Sequence, residues 1–120
     1  MNNAHIKKIA LGTVQFGLEY GIANKSGQVS IEQIGSILEY AKKNTINTLD
    51  TAIGYGSSEE RLGHVGVSQW NVITKLPTLP ESIKDVKGWV RETVEQSMLR
   101  LQTENINGLL LHRPNDLLNK

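Results

Sequence analysis

Four short apolar runs alternate with longer segments of helical period, and this alternation is what most limits the fold. The runs cover residues 8–13 (KIALGT), 47–52 (NTLDTA), 71–76 (NVITKL) and 106–111 (INGLLL), each of strand length. A polar, glycine-bearing loop over 17–29 follows the first run. Ser30 then opens a helix, because Ser30 and Gln33 fit a capping box in which each side chain satisfies the other's backbone donor. Ile31, Ile34, Leu38 and Ala41 share one face of that helix. Ser57-Ser58-Glu59-Glu60 repeats the capping pattern and starts a short helix that stops near Gly63. The strongest helical period runs over 82–101, with Ile83, Val86, Val90, Val94, Met98 and Leu101 in step. Pro114-Asn115-Asp116 begins a further helix.

Strands separated by helices cannot close as tight hairpins. They call for right-handed crossovers and a parallel sheet. The order strand–helix, four times over, is half of a (β/α)8 barrel or most of a small open sheet. A whole barrel needs roughly 250 residues, and the chain has 120. The expectation is an α/β chain forming a partial (β/α)8 TIM barrel: its first four βα units, with parallel strands, as a single partial domain over 1–120.

Composition excludes several function classes. Net charge is +1, and Lys7-Lys8 and Lys42-Lys43 are the only basic doublets, so a nucleic-acid partner is not expected. The absence of cysteine removes disulfides, thiolate metal sites and a cysteine nucleophile. No window approaches the roughly 18 apolar residues of a membrane span, and the N-terminus has no continuous apolar stretch of a signal peptide. A soluble, cytoplasmic protein without membrane partners is the expectation.

In a parallel barrel, ligands bind at the C-terminal ends of the strands. Asp50 lies towards the end of the second run, Lys75 lies near the end of the third, and His112 follows the fourth, while Tyr55 stands in the loop after the second. Each has a plain reading: a turn aspartate, a solvated lysine, a loop aromatic, a loop histidine. Their joint placement on one rim is what points to proton and charge chemistry, with Asp50 in reach of Lys75. His5 and His64 have no such setting. Gly54-Tyr55-Gly56 superficially suggests a dinucleotide-binding turn. However, Glu59 stands where the third glycine belongs, and a lysine stands about 20 residues on where the ribose-binding acid belongs. A metal site lacks further ligands at suitable spacing.

The segments Gly12-Thr13-Val14-Gln15-Phe16-Gly17, Leu49-Asp50-Thr51-Ala52-Ile53-Gly54-Tyr55-Gly56, Ser58-Glu59-Glu60-Arg61-Leu62-Gly63, Ile73-Thr74-Lys75-Leu76 and Leu110-Leu111-His112-Arg113-Pro114 together resemble the aldo-keto reductases, in register from the first strand to the last residue. The resemblance implies an NAD(P)H-dependent oxidoreductase acting on a small-molecule carbonyl substrate. Tyr55 looks like the general acid for the carbonyl oxygen, and Lys75 like the cation that stabilises its phenolate. Asp50 would fix Lys75, and His112 would orient the substrate oxygen. Gly12 and Thr13, with Asp50, would lie near the nicotinamide and its ribose, whether NADPH or NADH. Phe16, Tyr20 and the 17–29 loop would border the substrate pocket.

In this family most of the cofactor site belongs to later strands. The resemblance therefore implies a truncated chain, inactive alone or active only when another half completes the barrel. Two other readings stay open. One is a non-catalytic binding or regulatory subunit on the same scaffold. The other is a half barrel that forms a homo-oligomer through its exposed sheet edges.

Overall fold

Ser30 accepts the Gln33 backbone N–H through its hydroxyl, and the Gln33 side chain accepts the Ser30 N–H in return at 3.0 Å. The capping box thus sets the start of a helix as its sequence predicts. The computed structural model describes residues 8–21, 25 and 27–118. In chain order the elements are β1 (Leu11–Gly12), α1 (Val14–Gly17), α2 (Ile31–Lys43), β2 (Thr48–Asp50), α3 (Ser58–Val65), β3 (Asn71–Leu76), α4 (Val86–Leu101) and β4 (Gly108–Leu111), followed by a 3-10 turn (Pro114–Leu118).

The four strands form one sheet in the order β1-β2-β3-β4, every pair parallel. Each new strand is added on the same side of the last. A doubly wound open sheet reverses its order at a switch point, and this one does not. It is the first part of a barrel wall. Register aligns Gly12 with Asp50, Asp50 with Ile73, and Lys75 with Leu110.

Side chains alternate across the sheet. Val72, Thr74 and Leu76 of β3 and Leu49 of β2 are buried towards the helices, whereas Ile73, Lys75 and Asp50 face the other way and are half-buried. Between sheet and helices sits one core, to which α2 contributes Ile34, Leu38 and Ala41, α3 contributes Leu62 and α4 contributes Leu101. Each fully buried aliphatic side chain stabilises the fold by about 1.5–3 kcal/mol. At Gly63 helices α3 and α4 approach so closely that a Cβ would sit 2.1 Å from the Arg100 carbonyl oxygen. β4 differs from the inner strands: Leu109, Leu110 and Leu111 are all exposed, although they alternate between the two faces.

Several boundaries move from their predicted places. α4 starts at Val86 rather than at 82, because Asp85 is the N-cap and its Oδ1 accepts the Gly88 N–H at 3.0 Å. Residues 80–83 form a separate turn closed by Ile83 N–H to the Pro80 carbonyl. β1, β2 and β4 are shorter than their apolar runs, since only the paired residues are strand. The loop expected from 17 is preceded by one helical turn, α1, which carries Phe16 into the core. The second capping box does not form: Ser57 makes no side-chain cap, and α3 runs on to Val65. Ser58 and Glu59 point inward instead, for reasons that belong to the site. No helix among the described residues is long and apolar enough to cross a membrane, and no cluster of three potential metal ligands occurs among them.

Candidate active site

Alternation along β2 and β3 places Asp50 and Lys75 on the same face, and the two side chains meet. Lys75 Nζ donates to Asp50 Oδ1 at 2.6 Å, to the Thr51 carbonyl oxygen at 2.8 Å and to the Tyr55 hydroxyl at 3.4 Å. An ammonium has three N–H donors, so Lys75 is fully engaged. Its side chain is 14% exposed and that of Asp50 38%, which shields the pair from water without closing it off. The same Nζ stands 4.9 Å from the centre of the Tyr55 ring, within range of a cation–π attraction.

Tyr55 is held by its own loop. Its N–H donates to the Ala52 carbonyl at 3.1 Å, and its carbonyl accepts the Ser58 N–H at 3.0 Å. The loop lies directly on α1, where a Cβ on Gly17 would fall 1.7 Å from the Tyr55 carbonyl oxygen. Only glycine allows that approach. The phenol ring meets the His112 imidazole edge-on, with centroids 5.6 Å apart and planes at 88°. His112 reaches this place because its N–H bonds the Leu76 carbonyl at 3.1 Å, extending the β3–β4 pairing by one residue. Asp50, Tyr55, Lys75 and His112 thus converge on one rim.

The first turn of α3 ties this rim together from beneath. Ser58, fully buried, donates to Thr13 and lies 3.0 Å from the Thr51 hydroxyl. Glu59, 2% exposed, accepts the Thr74 hydroxyl at 2.9 Å, the Ser97 hydroxyl, and Arg100 Nε and Nη2 each at 2.9 Å. Thr13, Thr51 and Thr74 each adjoin an inward-facing residue of the rim: Gly12, Asp50 and Lys75. These anchors were missed in the sequence because Ser58-Glu59 also satisfies a helix-start pattern. A signal was nevertheless present. Thr74 shares the core face of NVITKL with Val72 and Leu76, and a hydroxyl buried there requires a polar partner.

The residues expected beside a nicotinamide divide. Gly12 is exposed and has no other atom within 4 Å of where a Cβ would stand; Asp50 is on the same open face. Thr13 is 0% exposed, and its hydroxyl donates to the Asp50 carbonyl at 3.0 Å and accepts from Ser58, so its side chain is turned into the protein. Phe16 is core, not pocket wall, whereas Tyr20 is exposed. Residues 22–24 and 26 of the expected pocket loop, and His5, lie outside the described residues. His64 is exposed on the last turn of α3.

A model of the aldo/keto reductase family matches residues 8–118. The chain belongs to that family. Among solved structures, a protein assigned as an aldo-keto reductase from Pseudomonas aeruginosa shares 32% identity at a TM-score of 0.74, over 92% of this chain and 46% of its own. The holo form of an aldo-keto reductase from Bacillus halodurans shares the fold at 21% identity and a TM-score of 0.62, over 85% of this chain and 35% of its own. An aldose reductase from Giardia lamblia does so at 20% and 0.56, over 86% and 32%. No match was found among curated proteins. This aldo/keto reductase chain spans less than half the length of those solved relatives, and its four strands and the loops that follow them carry Asp50, Tyr55, Lys75 and His112.

Proposed function

We propose that the chain forms the proton-donating rim of an NAD(P)H-dependent oxidoreductase that reduces a small-molecule carbonyl. The observation that carries this reading is the Lys75 ammonium, which bonds Asp50 and Thr51 and directs its third donor at the Tyr55 hydroxyl. Tyr55 gives its proton to the carbonyl oxygen. Lys75 stabilises the phenolate left behind, at a distance where water cannot fully screen the charge. Asp50 holds Lys75 in place, and His112, edge-on to the phenol, donates to the same substrate oxygen and fixes its direction.

A reduced nicotinamide, when bound, supplies the hydride. The residues present suit a flat ring on this face: Gly12 offers an unobstructed surface, next in register to Asp50, and no side chain from Thr13 intrudes. The contacts for the rest of such a cofactor, and the choice between NADPH and NADH, would come from structure beyond these four units.

The decisive experiment titrates the purified chain with NADPH and NADH while following nicotinamide fluorescence, then compares carbonyl reduction by wild type and Tyr55→Phe. A saturable signal with turnover that depends on Tyr55 is expected wherever the barrel is completed. Cofactor binding with turnover indifferent to Tyr55 would replace this reading with a binding or regulatory subunit.

One observation favours a second reading, in which two copies complete one barrel. β4 exposes Leu109, Leu110 and Leu111 on both faces, and a two-fold axis along the barrel would bring β4 of one copy beside β1 of the other in parallel. Sedimentation showing a compact dimer, with cofactor binding confined to it, is the outcome expected from that arrangement.

A further inference from the structure

Beside His112 lies a cleft of about 490 Å3 walled by Gly54, Pro77, Thr78, His112 and Arg113, a size suited to a small metabolite. Gly54 leaves that wall without a side chain; a Cβ there would stand 3.4 Å from His112 Cε1, in van der Waals contact with the imidazole. Arg113 also borders the adjoining cleft of about 710 Å3, together with Lys84, Glu81 and Asp116. Both carboxylates belong to that larger space; none lines the cleft at His112.

The two cations of the rim differ in what they have left to give. Lys75 spends its three donors on Asp50, Thr51 and Tyr55. The Arg113 guanidinium forms no ion pair or side-chain hydrogen bond among the described residues, while its carbonyl holds the turn by accepting the Asp116 N–H at 3.1 Å. A guanidinium presents a planar fork that matches a carboxylate or phosphate in two parallel bonds. An exposed guanidinium without such a partner, on the residue after His112 and on the wall of the same cleft, is in reach of the far end of a molecule whose carbonyl lies at Tyr55 and His112.

We propose that this cleft selects carbonyl substrates carrying an anionic group, a carboxylate or a phosphate, and that Arg113 is the residue that pairs with it. The proposal rests on the reading of Tyr55 and His112 as the partners of the carbonyl oxygen. Its test is ligand binding by the full chain, read from the NMR signals of the His112 ring and the Arg113 Nε–H. Two matched pairs separate the sources of the anion: levulinate against 2-pentanone for the carboxylate, and dihydroxyacetone phosphate against dihydroxyacetone for the phosphate. At least one anion is expected to bind ten-fold or more tightly than its neutral partner, and Arg113→Gln to abolish that advantage while the remaining amide signals stay in place.

Equal binding of charged and neutral ketones would overturn the proposal, as would a preference that survives Arg113→Gln or one that vanishes instead in Lys84→Met. Silence of the His112 signals with every ketone would overturn it too. Because the readout needs no hydride, anion binding without reduction even where the barrel is completed refutes the reductase reading alone. Reduction without any anion preference refutes this proposal alone.

Discussion

Glu59 Oε2 accepts the hydroxyl of Thr74 at 2.9 Å, one residue before Lys75 on β3. The carboxylate is 2% exposed and is also bonded to Ser97 and to both Nε and Nη2 of Arg100. Helix α3, strand β3 and helix α4 are therefore joined through one charged group beneath the rim. Neighbouring Ser58 does the same for the ends of β1 and β2 through Thr13 and Thr51.

Glu59→Ala leaves Arg100 and two buried hydroxyls without their acceptor, and removing one partner of a buried pair is costly. A loss of about 3 kcal/mol in unfolding free energy is expected, with Glu59→Gln losing less because its amide oxygen still accepts from Thr74. Urea unfolding followed by circular dichroism measures both. A change below about 0.5 kcal/mol for the alanine variant would show that the clamp contributes nothing to the fold.

Ser58→Ala takes its partner from the buried Thr51 hydroxyl, whereas the Thr13 hydroxyl keeps the Asp50 carbonyl. An unsatisfied buried polar group costs about 1–3 kcal/mol, so a loss in that range is expected by the same method. The Tyr55 ring signals in the NMR spectrum should also shift, since the Ser58 hydroxyl holds Thr51, whose carbonyl accepts the Lys75 Nζ that reaches the Tyr55 hydroxyl. Unmoved Tyr55 signals would separate the serine from the rim.

Tyr55→Phe removes the proton donor and leaves the ring in contact with His112. Where reduction is measurable, turnover should fall by a factor of about 10²–10⁴ with little change in unfolding midpoint. Lys75→Met should reduce turnover as well, and it leaves Asp50 without its ammonium. Steady-state kinetics beside thermal unfolding checks both; activity retained in Tyr55→Phe would remove the phenol from the mechanism.

Gly63→Ala places a methyl 2.1 Å from the Arg100 carbonyl oxygen, where only backbone can yield. Helices α3 and α4 must then separate, at an expected cost of about 1–3 kcal/mol or more. Gly35→Ala, where no atom lies within 4 Å of the new Cβ, is the control and should be neutral or stabilising.

Much of the rim was legible because its residues sit where the chain's periodicity changes. Asp50, Lys75 and His112 stand at or next to strand ends, and a parallel sheet gathers such ends on one side, so their convergence follows from the alternation of strands and helices. The capping box at Ser30 was legible because all its partners lie within three residues. The same local logic failed at Ser57-Ser58-Glu59-Glu60, where the pattern of a cap is present but the side chains are used elsewhere. It failed again at residue 82, where Asp85 captured the helix start.

The sequence by itself determined the four strands, the parallel sheet, the rim and the residues that stand on it, since each depends on contacts between near neighbours or on a repeating period. Only the tertiary structure decided that Thr13 turns its hydroxyl inward, that Glu59 bridges Thr74 to Arg100 forty-one residues away, and that the Arg113 side chain beside His112 has no partner among the described residues. Those outcomes depend on which polar groups meet after the helices pack. A buried donor or acceptor takes the partner that packing brings within reach, and sequence distance does not measure that reach.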